Sequence, residues 1–191
     1  MSTVYLVRHG EAGDERINEV TYTPKNEYDK PLTRLGLTQA ERLRSVFTHL
    51  NFSHSYSSDY LRAIETFDQL NVSAAKHSVL SEIREIFCEC IGKNLGNTDL
   101  AEFQRQKERV QRFIDNHLLT LAGNDQVIVV AHGCFILYLL KKLTGKSFGH
   151  DMAYTGVTKL TYNGSWDFEF FNESAHLFEP VDPGITRLVC C

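Results

Sequence analysis

Val127-Ile128-Val129-Val130-Ala131-His132-Gly133 is an apolar, β-branched run that stops at His-Gly. Thr3-Val4-Tyr5-Leu6-Val7-Arg8-His9-Gly10-Glu11, near the start of the chain, follows the same plan. Runs of this kind read as buried strands. In an open α/β sheet, ligands collect beyond the carboxyl ends of the strands. If both strands share one parallel sheet, His9 and His132 lie side by side at such a crevice, with Arg8 next to them. Two imidazoles and a guanidinium at one crevice suggest phosphate chemistry.

The intervening sequence supplies the rest of an α/β pattern. From Thr33 to about Leu50, Leu37, Ala40, Leu43, Phe47 and Leu50 recur at helical spacing. Residues 53–57 read as a short strand, and Ser58 or Asp59 as the cap of a helix running to about Leu70. Another short strand is expected at 77–80. The stretch 81–98 is irregular, with Gly92 and Gly96. Asp99-x-x-Glu102 reads as a capping box for a long helix to about Leu121, ended by Gly123. Residues 134–143 form an apolar helix ending near Gly145. Val157–Tyr162 and Trp166–Phe171 alternate around Asn163-Gly164, a two-residue hairpin signal. The alternation predicts a three-layer α/β/α sandwich around a mainly parallel mixed sheet, with the hairpin adding an antiparallel strand at one edge.

Residues 12–31 are polar and carry Gly13, Asn18, Pro24, Asn26 and Pro31. A loop that long is usually functional or disordered. Its place directly after the first His-Gly predicts a lid or specificity element.

The 191 residues fit a single domain, 1–191, with a sizeable core. Hydrophobic content of 42% and charged content of 23% are those of an ordinary soluble protein. A net charge of −4 gives no reason to expect nucleic acid or an anionic membrane as partner. No apolar stretch is long enough to span a bilayer, and no secretory signal is visible, so the expected location is cytoplasmic. The five cysteines, Cys88, Cys90, Cys134, Cys190 and Cys191, form neither a disulfide framework nor a zinc-site spacing. No metal-ligand cluster and no cofactor motif is seen.

Phosphoryl transfer needs a positioned nucleophile, cations for the phosphoryl oxygens and an acid for the leaving oxygen. His9 can attack phosphorus if unprotonated, and neighbouring guanidiniums would keep it so. Arg8 and Arg62 offer planar forks that match phosphate. His132 can add a hydrogen bond or charge to the developing phosphorane.

Four blocks carry a resemblance. Arg8-His9-Gly10-Glu11 resembles the signature of the histidine phosphatase superfamily, the phosphoglycerate mutase-like proteins. Pro31-Leu32-Thr33-x-x-Gly36-x-x-Gln39-Ala40 resembles its PLT-x-x-G-x-x-QA segment. Ser57-Ser58 with Arg62-Ala63 and Thr66 resembles its SS-x-x-x-RA-x-x-T block, and Val130-Ala131-His132-Gly133 its closing V-x-HG block. The four stand in the family's order over positions 4 to 133.

The resemblance implies a phosphohistidine intermediate on His9, then hydrolysed by water. It implies a phosphoryl group bound by Arg8, Arg62 and His132, a protonating acid from the irregular segment, and no metal. Where the family commonly has Thr or Ser and then Trp-Asn after the Glu, this chain has Ala12 and Gly13, which leaves Asn18 as the candidate for the Asn role. Leu80-x-Glu82 fits one family spacing for the acid, and Arg84-Glu85-Ile86 resembles another, with Glu89 and Gly92 trailing. Glu85 is preferred over Glu82. The reading is a metal-independent phosphomonoesterase acting on a small phosphorylated metabolite. Its rivals are a mutase of the same fold and an inactive module that binds phosphorylated ligands. The remaining histidines (49, 54, 77, 117, 150 and 176) carry no such context; for His54 and His176, which could line the pocket, a structural or exposed role is the expectation. Substrate and oligomeric state are not legible.

Overall fold

A computed structural model describes residues 1–86, 100–149 and 151–178. Six strands form one sheet in the order β3-β2-β4-β1-β5-β6. They are β1 (Ser2–Arg8), β2 (Asn51–Ser58), β3 (Ser73–Leu80), β4 (Gln126–Ala131), β5 (Val157–Tyr162) and β6 (Trp166–Glu173). β1 to β4 are mutually parallel, while β5 and β6 run antiparallel at one side. The helices are α1 (Arg34–Phe47), α2 (Leu61–Leu70), α3 (Leu100–Phe113) and α4 (Gly133–Thr144).

The central strands β1 and β4 lack polar alternation because both of their faces are covered. On one face Tyr5, Val7, Ile128 and Val130 pack with Leu43 and Phe47 of α1 and Ala63 and Leu70 of α2. On the other, Val4, Leu6, Val127 and Val129 pack with Val110 and Phe113 of α3 and Phe135, Ile136, Leu139 and Leu140 of α4. Successive side chains of β1 and β4 thus serve opposite cores, giving the expected three-layer α/β/α sandwich. Among the described residues no helix is long and apolar enough to cross a membrane.

Four local details depart from the sequence expectation. The N-cap of α2 is Tyr60, not Ser58 or Asp59, and its own side chain makes no capping bond. The buried Asp29 caps from afar instead, its Oδ1 accepting from the Leu61 N–H at 2.8 Å. The long helix gives way after Phe113 to a π-helical turn, Ile114–Leu118, where Leu119 N–H reaches the Ile114 carbonyl. The hairpin loop holds three residues, 163–165, between the paired Tyr162 and Trp166, with Gly164 at φ 84°. β3 is longer than expected, beginning at Ser73. The Asp99 cap, Glu89, Gly92, Gly96, His150 and Cys88, Cys90, Cys190 and Cys191 lie outside the described residues.

Candidate active site

β1 and β4 are direct neighbours, with Arg8 opposite Ala131. The next residues, His9 and His132, therefore leave the sheet together, and their rings stand 5.0 Å apart. Both are buried. His9 Nδ1 meets the Gly10 carbonyl at 2.7 Å, and the Arg62 Nε–H donates to His9 Nε2 at 3.0 Å. A carbonyl accepts only, and a guanidinium donates only. These contacts therefore put the proton on Nδ1 and the lone pair on Nε2. Burial holds His9 well below the usual histidine range, and Arg62 and Arg8 push the same way. His132 is depressed likewise, by burial first and then by His9, Arg62, Arg109 and Arg8. Its Nε2 bonds Ser58 Oγ at 2.8 Å. His132 Nδ1 and Arg8 Nε are buried with no partner among the described residues, two nitrogens that a bound oxyanion would satisfy.

The second and third sequence blocks explain themselves in contacts. Gly36 lies so close to the nucleophile loop that a Cβ there would sit 2.0 Å from the Glu11 carbonyl oxygen. Thr33 caps α1 through the Gly36 N–H and donates to the Glu11 carboxylate. Gln39 Oε1 accepts from the Glu11 N–H at 2.8 Å, and Thr66 Oγ1 from the Gly10 N–H at 3.0 Å. The blocks are thus the frame on which His9-Gly10-Glu11 is hung.

Arg62 is fixed by the loop that follows. Its Nη1 donates to the Tyr28 carbonyl, and Asp29, next in sequence, holds the start of α2. Loop 12–31 therefore buttresses the guanidinium and also lines a cavity. That cavity, ≈ 600 Å³, lies beside Arg62 and Glu85 and is bordered by Asn26, Tyr28, Tyr60 and Arg84. Arg8 is anchored through its own Nη1 to the Met152 carbonyl, and its guanidinium lies 4.1 Å from the Tyr154 ring centre.

Glu85 and Glu82 part company. Glu82 faces His117 at 3.3 Å and Arg112 at 3.9 Å, toward α3 and its π-helical turn. Glu85 instead reaches the first turn of α4, immediately after His132, where its Oε1 accepts from the Phe135 N–H at 3.0 Å. Burial pushes its carboxyl up; the Ile86, Phe135 and Cys134 N–H groups and Arg62 oppose that push. The structure thus brings His9, Arg8, Arg62, His132 and Glu85 to one end of the sheet. Asn18 is exposed in the turn after a short 3-10 segment and takes part in none of the site's hydrogen bonds. His54 stacks on Tyr56 within β2, and His176 bonds Thr155.

Sequence reasoning passed over Tyr154, Asp29 and the role of Ser58. Ser58 stood inside a recognised block and was open to notice. Nothing in the local pattern marks Tyr154 or Asp29. Among the described residues, no group of three or more His, Cys, Asp or Glu side chains is placed to hold a metal ion.

Comparison with known proteins bears on family and fold. The model of the histidine phosphatase superfamily (branch 1) matches residues 4–94 and 93–174. No curated protein matches the chain. Among solved structures, an Escherichia coli protein described as a candidate alpha-ribazole-5'-P phosphatase superposes with TM-score 0.70 at 20% identity, covering 91% of this chain and 98% of that one. Phosphoserine phosphatase from Entamoeba histolytica gives 0.67 at 22%, covering 93% and 100%. Phosphoglycerate mutase from Bacillus anthracis gives 0.67 at 21%, covering 93% and 95%. At such identities the likeness is one of fold.

Proposed function

The chain belongs to the histidine phosphatase superfamily, and on that premise we propose that it hydrolyses phosphomonoesters of small metabolites through a phosphohistidine on His9. The observation that carries this reading is the locked tautomer of His9, with Nδ1 tied to a backbone carbonyl and Nε2 left as a lone pair against a cation.

In the first step the Nε2 lone pair bonds to phosphorus as the ester P–O bond breaks. Glu85, whose carboxyl burial pushes up, gives its proton to the leaving oxygen. Arg8, Arg62 and His132 share the charge on the phosphoryl oxygens. In the second step the Glu85 carboxylate takes a proton from water. The water oxygen bonds to phosphorus, the P–N bond breaks, and inorganic phosphate leaves with His9 neutral again. Two guanidiniums supply the positive charge, so the reaction as drawn uses no metal. The cavity beside Glu85 is where the leaving group would sit.

The test is phosphate release from an aryl phosphate in the presence of EDTA, wild type against His9→Ala. Activity should survive chelation and vanish in the variant. Full activity in His9→Ala would overturn the reading. Acid-labile phosphate that moves to an acceptor alcohol rather than to water would favour the mutase. Binding of phosphorylated ligands with no phosphate trapped would leave the inactive module.

A further inference from the structure

Arg109 lies half-buried on α3 and borders the same cavity as Arg62 and Glu85. Its Nη1 donates to the carbonyls of Ser81 at 3.2 Å, Glu82 at 3.0 Å and Arg84 at 2.8 Å, and its Nη2 to the Glu85 carbonyl at 2.9 Å. One guanidinium thus gathers four carbonyl oxygens from the short segment that carries Glu85. That segment begins with a single 3-10 turn, Ser81–Ile83, and has little ladder of its own. Four carbonyls turned to one point repel one another unless a cation sits among them, and three of these four are partly shielded from water and so need a donor. A planar fork with five donors meets that demand; an ammonium has three donors at one point and no fork.

The far end of Glu85 is pinned separately. Its carboxylate accepts from the N–H groups of Ile86 and Phe135, the latter at the start of α4. The next side chain back, Arg84, is committed to Asp59 through two bonds of 2.7 and 2.6 Å. Backbone and carboxylate of one residue are therefore held by different helices. The distance of Glu85 from the leaving oxygen depends on both.

We propose that Arg109 is a positioning residue for Glu85: the guanidinium on α3 sets the backbone of the turn and so sets where the proton donor stands. This rests on the reading of Glu85 as the acid. Proton donation tolerates little displacement, and a misplacement of about 1 Å can cost on the order of 100-fold.

The experiment compares kcat/KM, which reports the steps up to the phosphoenzyme, on p-nitrophenyl phosphate, whose leaving group departs without a proton, and on glycerol phosphate, whose alkoxide needs one. The proteins are wild type, Arg109→Gln, Arg109→Lys, Glu85→Gln and Glu85→Gln with Arg109→Gln. The ratio of the two rates does not depend on how much of a preparation is folded, and Arg109→Lys keeps stem and charge as the milder variant. Arg109→Gln and Arg109→Lys should each lower kcat/KM on glycerol phosphate by about 10-fold or more relative to p-nitrophenyl phosphate. The double variant should be no slower on glycerol phosphate than Glu85→Gln alone, because residues acting as a unit are not additive. Equal loss on both substrates, or additive losses in the double variant, overturns the role of Arg109 while Glu85→Gln still shifts the ratio. A Glu85→Gln ratio equal to wild type overturns the assignment of the acid, and the inference with it.

Discussion

The Nε–H of Arg62 donates to Nε2 of His9 across 3.0 Å, so the cation that would bind a phosphoryl oxygen rests on the nitrogen that would attack phosphorus. An incoming phosphoryl group must enter between the two, exchanging one hydrogen bond for a P–N bond and an N–H···O contact.

Arg62→Lys keeps the charge and loses the fork that reaches both His9 and the Tyr28 carbonyl. Turnover on an aryl phosphate should fall about 100-fold, the scale of a lost transition-state donor. Steady-state kinetics check this, and a change of only a few-fold would remove Arg62 from the phosphoryl site.

The pH profile should lean acidic. His9 is depressed well below 6.5 by burial and the two arginines, so the nucleophile stays neutral throughout the mildly acidic range. Glu85 is raised above 4.5 by burial and must be protonated to donate. Activity on an alkyl phosphate should therefore fall as pH rises through the Glu85 pKa, and Glu85→Gln should lose that limb. A wild-type profile that rises from pH 5 to 8 would contradict it.

Gly36→Ala should destabilise the fold by about 3 kcal/mol, the upper range for forced overpacking, because its Cβ would meet a backbone oxygen that cannot move aside. Gly123→Ala, where a Cβ meets nothing within 4 Å, is the control. Urea unfolding of the two variants decides, and equal midpoints would show that the contact is soft.

His176 should make the protein acid-sensitive. Burial lowers its pKa from 6.5 to about 4, where Glu173 pulls it up and Arg42 pushes it down. At pH 7 it is neutral whether folded or not. As pH falls below 6.5 the unfolded chain takes the proton first, and stability drops by about 3 kcal/mol by pH 4. His176→Gln should flatten that part of the slope. Melting temperatures at several pH values test it, and identical slopes would sink it.

The meeting of His9 and His132 was legible because parallel strands that end alike deliver their next residues to one place. Arg62 was legible only through its block, since an arginine in the first turn of a helix is otherwise unremarkable. The resemblance favoured Glu85 over Glu82, but nothing along the chain showed where either carboxyl points. Glu82 lies in the 3-10 turn Ser81–Ile83 and faces His117, while Glu85, just beyond that turn, reaches α4. The cap of α2 was illegible for a related reason: Asp29 supplies it from a distant loop, while local propensity pointed to Ser58 and Asp59. Asn18, offered only by the resemblance, is solvent-facing.

The position of β1 between β4 and β5 has a consequence for how the chain is made. β1 has no partner in β2 or β3, the strands that follow it directly, for its two neighbours are β4 and β5, from Gln126 onward. The central strand pair, and the meeting of His9 with His132, must wait until β4 has been made. Such late, long-range pairing is slow and leaves an apolar strand exposed meanwhile. On a growing chain β1 therefore stays unpaired, and His9 stays apart from His132, until β4 has emerged.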